Sequence, residues 1–371
     1  MKKLLFLGVV LVLVLAMLPA AVAAADPPAE LVGLWHFDEG SDDTAADSGA
    51  APANNGQLGS TTGADVNDPT WVDGKFGKAL FFDGNDYVVV ADDSSLDITG
   101  AITIEAWIYS TDVGSGVGAY RCIAAKRYGN FANYALRLDD GGKLDFYYSG
   151  PSATSSTTDW NVWHTNNRVI SANSWYHVAV TFTFAGGPIA AYVNGSSVSG
   201  AWYAGGPSDP ATANDYTLRI GMAYPSYAQY FKGLIDEVRI WNRALSAEKI
   251  AFNYSLGNVA IDIKPGSDPN CIKSDEHGVI PVAMLGSAVF DAATVNPSTV
   301  TLDGAEVRVK GKSGNAGSLE DVNGDGYQDL VVQIIDDGGY SAGDTQATLT
   351  GYTYGGLPLV GSDAICIVPP E

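Results

Sequence analysis

The chain has 371 residues and a formal net charge of −22, set by 42 Asp and Glu against 20 Lys and Arg. That balance excludes nucleic acid and anionic membrane surfaces as partners, because phosphates are held by stripes of Lys and Arg. It suits a chain that binds divalent cations or must stay soluble in salt, and its length allows two or three domains with cores of their own.

The chain opens Met1-Lys2-Lys3, runs apolar from Leu4 to Leu18, and passes through Pro19 to Ala23-Ala24-Ala25. A basic start, a short apolar run and an Ala-x-Ala end predict a secretory signal peptide over residues 1–25, cleaved before Asp26. An uncleaved anchor is the alternative, since the run just reaches the ~20 residues that span a bilayer; Pro19 and the alanines favour cleavage. Loss of Lys2 and Lys3 takes the net charge from −22 to −24. The expected product is secreted or held at the cell surface, with no membrane partner after cleavage. Residues 26–30 read as a tether.

From residue 31 to 257 the text is strands and turns. Asp86–Val90 is mostly β-branched or aromatic. Ala101–Tyr109 alternates, with Ile102, Ile104, Ala106 and Ile108 on one face and Thr103, Glu105, Trp107 and Tyr109 on the other. One face is core; the other is expected to be partly covered or used. Tyr120–Lys126, Asn133–Leu138 and Lys143–Tyr148 follow, the last two joined as a hairpin through Asp139-Asp140-Gly141-Gly142. Ser149–Asn173 reads as a long Ser/Thr-rich loop, of a length that is often functional. Trp175–Phe184, Ile189–Asn194, Tyr216–Met222 and Leu234–Trp241 complete the strands, with Asn194-Gly195 as a turn. Ser246 caps one short helix ending at Tyr254.

Beyond Val259 the composition changes. Ala260–Lys264, Val279–Leu285, Thr299–Leu302, Ala305–Val309, Asp329–Ile334, Gln346–Thr353 and Ala364–Val368 are predicted strands. Seven short strands over residues 258–371 suggest a smaller β-sandwich of immunoglobulin-like size. The prediction is therefore all-β: two sandwiches joined by the short linker at residues 255–258.

The ordered pieces Trp35-His36-Phe37-Asp38-Glu39, Gly74-Lys75-Phe76-Gly77-Lys78-Ala79-Leu80, Phe82-Asp83-Gly84 and Ile102-Thr103-Ile104-Glu105-Ala106-Trp107 resemble the laminin-G-like, concanavalin-A-like jelly-roll family. Trp175-Tyr176-His177-Val178-Ala179-Val180, Tyr192-Val193-Asn194-Gly195 and Gly233-Leu234-Ile235-Asp236-Glu237-Val238-Arg239-Ile240-Trp241 continue in that family's order. The resemblance spans roughly residues 31–255 and implies the fold. It implies no single function, because that family spreads over adhesion, sugar binding and accessory modules of larger enzymes. Residues 258–369 resemble a module appended to exported prokaryotic proteins, which implies no chemistry.

The sharpest motif is Asp321-Val322-Asn323-Gly324-Asp325-Gly326-Tyr327-Gln328-Asp329. Oxygens from Asp321, Asn323, Asp325, the Tyr327 carbonyl and Asp329 recur at the spacing by which one loop wraps calcium, with Gly326 at the sharp turn. Position twelve, which an EF-hand fills with Glu, is Val332; the loop instead resembles the calcium loop of integrin-type repeats, in one copy. The bland reading is a Gly/Asp hairpin without metal. A second calcium site is expected where Asp38 and Asp236 meet, if the first and last strands pair, with the acidic loops near Asp47 and Asp83 as competitors.

Sugar binding needs planar aromatics to stack on ring faces. Trp160, Trp163, Trp202 and Tyr203 lead that search, ahead of Trp107, Tyr109, Tyr147, Tyr148, Tyr224 and Tyr227, because the first four are read as loop residues. Catalysis has little support. Gly339-Tyr340-Ser341-Ala342-Gly343 matches a nucleophile-elbow pattern but sits in an apparent hairpin. The E-x-D-x-E strand of glycosidases of this fold is missing, and adjacent Asp236 and Glu237 cannot flank one glycosidic bond. His36, His164, His177 and His277 are scattered, with His177 read as a core residue. No C-x-x-C spacing supports a zinc or redox site; Cys271 and Cys366 are expected to pair after export, leaving Cys122 alone and buried. The expected function is non-catalytic recognition or adhesion toward extracellular carbohydrate, with structural calcium. A surface protein that binds other proteins is the alternative, and a polysaccharide-degrading enzyme a more distant one.

Overall fold

The structure, a computed structural model, describes residues 20–21, 29–114, 119–139, 141–153, 159–223, 229–255, 257–273, 278–309, 316–354 and 357–368. Most of the expected signal peptide and tether, together with Tyr224, Tyr227 and His277, lies outside them.

Two sheets face each other across the first core. The nine-stranded sheet runs from Gly200–Ala204 through Trp160–Thr165, Lys143–Ser149, Phe131–Asp139, Arg121–Tyr128, Leu218–Ile220 and Val88–Val90 to Gly56–Leu58 and Thr44–Ala45. The eight-stranded sheet is built around Trp175–Thr183, Ala101–Ser110 and Gly233–Trp241, with Leu31–Trp35 also paired to Gly233–Trp241. This is the jelly-roll sandwich expected from the sequence. Its core takes Ile102, Ile104, Ala106 and Ile108 from one sheet and Ala124, Leu136, Phe146 and Tyr148 from the other. Each of the isoleucines, Leu136 and Phe146 contributes about 1.5–3 kcal/mol when fully buried.

The second face of Ala101–Ser110 is covered as well. Helix Ala247–Tyr254, the one α-helix among the described residues, starts where the Ser246 hydroxyl accepts the Lys249 N–H at 3.2 Å. The helix brings Asn253 over the sheet, where its amide donates to Glu105 Oε1 at 2.7 Å beside the Trp241 indole N–H at 2.9 Å. Tyr254 stacks on Trp107 with ring centroids 5.6 Å apart. Buried His177 lies 3.3 Å from the other Glu105 oxygen. A fully buried carboxylate is tolerable only with such partners, so the charged residue in this strand belongs to the fold.

Phe252 turns the other way and stacks on Phe290 at 5.6 Å, joining the core of the second sandwich. One sheet of that sandwich carries Gly317–Glu320, Asp329–Ile335, Val279–Met284 and Ile261–Ile263, with Ala20–Ala21 paired at its edge. The other carries Ala305–Glu306, Val295–Leu302, Gln346–Thr353 and Pro358–Ala364. Cys271 and Cys366 are disulfide-bonded across a parallel pair, Cys271–Lys273 with Cys366–Val368. Cys122 is free and buried.

Two expectations need correction. The stretch read as a long loop contains strand Trp160–Thr165, and Gly200–Ala204 is a strand beside it. Serine and threonine flanks hid the strand's alternation. Pro358–Ala364, Gly317–Glu320 and Cys271–Lys273 are also strands that the pattern of apolar residues does not mark, each with at least one exposed position.

Candidate functional site

The outer face of the nine-stranded sheet holds a hollow of about 260 Å³ lined by Tyr120, Arg127, Arg137, Tyr147, Trp160 and Tyr203 among others. Its depth comes from sequence. Cys122, Ala125, Ala132, Ala135 and Ala223 form a small-residue layer on this face with Tyr147 and Val162, while Ala124, Leu136, Phe146 and Tyr148 turn to the main core. Side chains alternate across a strand, and a bulge at Asn133, between Ala132 and Tyr134, shifts that alternation in Phe131–Asp139, while a second irregularity leaves Ile123 as the extra residue on the partner strand Arg121–Tyr128. The shift puts Arg137 on the outer face.

Two guanidinium groups frame Tyr147, each centred 5.0 Å from its ring. Arg127 is tied down by donating to the Gly129 carbonyl at 3.1 Å and to Gln229 Oε1 at 3.4 Å. Arg137 donates from Nε to Asp145 Oδ1 at 2.6 Å and lies 3.7 Å from the Tyr120 ring centroid. Burial pushes the Asp145 carboxyl up against the pull of Arg137. Burial opposes the Arg137 charge too, but Asp145 outweighs it and the guanidinium rises above its ordinary value. Burial holds the Cys122 thiol up at about 12, so it is no nucleophile. The hollow therefore offers flat apolar rings and fixed polar donors at its walls, the combination by which a neutral or polar small ligand is oriented.

Of the four leading aromatics, Trp160 (45 % exposed) and Tyr203 (68 % exposed) line this hollow. Trp163 and Trp202 do not, which corrects their expected place among ligand-facing residues. Trp163 is buried in the main core, and Trp202 packs against it, 5.6 Å from Phe182 and 6.2 Å from Tyr148. Gly200 permits this inward turn, because a Cβ there would stand 2.1 Å from the Trp163 ring. Tyr148 is likewise core, and Trp107 lies under the helix. Arg127, Arg137, Asn130 and Gln229 were not singled out from sequence; polar residues inside otherwise apolar strand runs were the available signal.

In the 321–329 loop, Asp321 Oδ1 accepts the N–H groups of Gly324 at 2.8 Å and Asp325 at 3.2 Å, and Oδ2 that of Gly326 at 3.1 Å. Asn323 Oδ1 accepts the Asp325 N–H at 3.0 Å, and Asp325 Oδ1 the Tyr327 N–H at 2.9 Å. Gly324 and Gly326 sit at φ 75° and 90°, where a side chain is strained. Asp329 is buried, with both oxygens on backbone N–H groups, Gly286 and Val322, at 2.8 Å each. The donors are all oxygen, as a hard cation requires. Asp321, Asn323 and Asp325 are thus drawn together, while Asp329 anchors the loop to the strand after it and to Gly286.

Asp38 and Asp236 both bind the turn at residues 74–78. Asp38 Oδ1 accepts the Lys78 N–H at 2.7 Å; Asp236 Oδ2 accepts those of Lys75 at 2.8 Å and Phe76 at 3.0 Å. Asp236 Oδ1 is buried without a protein donor. Burial, with the neighbouring charges of Glu237 and Asp38, pushes this carboxyl up to about 8. A cation there fits the donor set. Glu237 turns aside at a bulge and pairs with His36 Nδ1 at 2.8 Å. Ser341 lies in a turn, its N–H bonded to Asp344 at 2.8 Å, and leads into strand Gln346–Thr353 without a helix.

The fold is an all-β pair of sandwiches, with the hollow on the outer face of the nine-stranded sheet. Residues 82–251 match the Laminin_G_3 family model, the concanavalin A-like lectin/glucanases superfamily. The sheet pairing over that span is that of a jelly-roll sandwich, in keeping with this match. No curated protein matches the chain. Among solved structures it is similar to domain 4 of AbnA, a GH43 extracellular arabinanase from Geobacillus stearothermophilus in complex with arabinotriose. That match has 18% identity, TM-score 0.38, and covers 60% of this chain and 97% of that one. It is also similar to the binding domain of Paraclostridial Mosquitocidal Protein 1, at 13% identity and TM-score 0.45, covering 88% and 85% of the two chains. The botulinum neurotoxin serotype D ligand binding domain in complex with N-acetylneuraminic acid matches at 11% identity and TM-score 0.44, covering 87% and 82%.

Proposed function

We propose that this is an exported, non-catalytic recognition or adhesion protein that binds extracellular carbohydrate in the hollow of the nine-stranded sheet. The observation that carries this reading is the pair of exposed rings, Trp160 and Tyr203, set at a hollow whose walls present Arg127, Arg137 and Gln229. Rings of that kind stack on the apolar face of a sugar, and fixed donors meet its hydroxyls. Calcium is assigned a structural role, held by Asp321, Asn323, Asp325 and the Tyr327 carbonyl with Asp329 as anchor, and at a second site by Asp38 and Asp236. The signal-peptide pattern supports secretion or display at the cell surface.

A glycan array probed with the chain from Asp26, with calcium and with chelator, tests the reading. Binding that Trp160→Ala and Tyr203→Ala each weaken, with unchanged thermal unfolding, is expected. A silent array under both conditions sinks it; self-association that free sugars do not inhibit then favours a protein-binding surface.

A further inference from the structure

Beside the hollow, three side chains outside the role just described converge. Asp145 stands directly across from His164 in the pairing of Lys143–Ser149 with Trp160–Thr165. Asp139 reaches the same spot from the next strand, where Arg137 faces Asp145 and Asp139 faces Lys143. Across neighbouring strands, facing and diagonal side chains on one face are in reach of each other. Each residue offers one ligand atom, and all three atoms lie within 4.8 Å of one another.

Each of the three residues also has a buried polar atom that is not spoken for. Asp139 Oδ1, Asp145 Oδ2 and His164 Nδ1 are buried, and no protein donor or acceptor meets them. Asp145 is fully buried and Asp139 is 8 % exposed. Buried polar atoms are otherwise almost always paired, so three clustered residues that each carry an unpartnered one call for a shared partner. Asp145's other oxygen is held by Arg137 Nε at 2.6 Å, and the His164 ring packs 5.2 Å from Tyr203. Outer contacts of this type fix the orientation of metal ligands.

We propose that Asp139, Asp145 and His164 bind a divalent transition-metal ion, zinc by donor set. Calcium and magnesium take oxygen ligands, whereas one imidazole nitrogen with two carboxylate oxygens suits zinc and its neighbours. Three protein ligands leave a coordination position for water or a ligand hydroxyl. Since Arg137 and Tyr203 line the hollow, the ion would sit at its edge. Contact between ion and sugar rests on the function proposed above; binding of the ion does not.

The test is zinc titration by calorimetry into the chelator-stripped chain from Asp26, with saturating calcium present to occupy all-oxygen sites. One zinc per chain is expected, with affinity at least tenfold weaker in His164→Gln and in Asp139→Asn. Asp145→Asn also unseats Arg137, so it is not relied on. Cobalt(II) added to the same samples should give visible bands in the parent that His164→Gln shifts or abolishes. No zinc uptake, or uptake unchanged in both variants, overturns the site. Repeating the glycan array with and without zinc separates the two claims. Zinc bound to a chain that binds no sugar leaves the site standing and removes the sugar reading, whereas sugar binding that needs Trp160 in a chain taking no zinc does the reverse.

Discussion

Trp160 and Trp163 lie on one six-residue strand and on opposite sides of its sheet, the first 45 % exposed at the hollow and the second 4 % exposed in the core. The two substitutions should separate function from stability. Trp163→Ala leaves a cavity among packed aromatics and is expected to destabilise by about 3–5 kcal/mol. Trp160→Ala should shift stability by no more than about 0.5 kcal/mol while weakening ligand binding. Denaturant titration of both variants decides; equal destabilisation would mean that the facing is misassigned.

The disulfide closes a loop of 95 residues within the second sandwich. Constraining an unfolded chain over that length stabilises by roughly 4–5 kcal/mol. Reduction, or Cys366→Ser, should lower the unfolding transition of the second sandwich and leave that of the jelly roll nearly in place. Differential scanning calorimetry reads both. An unchanged profile would count against the entropic account.

The 321–329 loop can be tested for metal by comparing two of its aspartates. Asp321 accepts three backbone N–H groups, so Asp321→Ala should destabilise even in chelator, by about 1 kcal/mol or more. Asp325 accepts the Tyr327 N–H and the Asn323 amide. Its loss should matter more in calcium than in chelator if a cation uses it. Chelator itself should lower the melting temperature of the parent chain, and melting that ignores calcium in every variant would remove the metal from this loop.

Lys249 places its chain beside Phe252, with the ammonium 4.6 Å from that ring. Burial pulls its pKa down from 10.5 to about 8. The folded state thus disfavours the charged form. The penalty is full below pH 8, shrinks as pH rises, and disappears above about 10.5, where the unfolded chain also loses the proton. Lys249→Met should therefore stabilise at pH 7, on the order of 1 kcal/mol after allowance for partial exposure. The gain should fade toward pH 10.5. A gain independent of pH would point to packing alone.

Much of the frame is legible in the sequence because it depends on neighbours along the chain. Period-two alternation marks Ala101–Tyr109, and the strand is found at Ala101–Ser110. Ser246 ahead of an amphipathic run marks the helix, and its hydroxyl does cap it. The acidic turn at residues 139–142 marks the hairpin that pairs Asp139 with Lys143. Even the polar face of Ala101–Tyr109 announces that something covers it, though not that Asn253 and Tyr254 do.

The hollow was not legible in the same way. It draws on strands from Tyr120 to the region of Gln229, and its outward set depends on two bulges that no local pattern reveals. Four candidate aromatics could be named from composition, but which pair meets solvent was decided by strand parity and by Gly200 admitting the Trp163 ring. The ligand atoms of Asp139, Asp145 and His164 become neighbours only when three strands pair in register. Sequence by itself determined the clearly alternating strands, several turns and the Ser246 cap, whose energetics are local, but not the strands with serine, threonine or exposed flanks. Tertiary structure alone decided which side chains share a face, because that follows from register, and register is set by burying the whole apolar face at once.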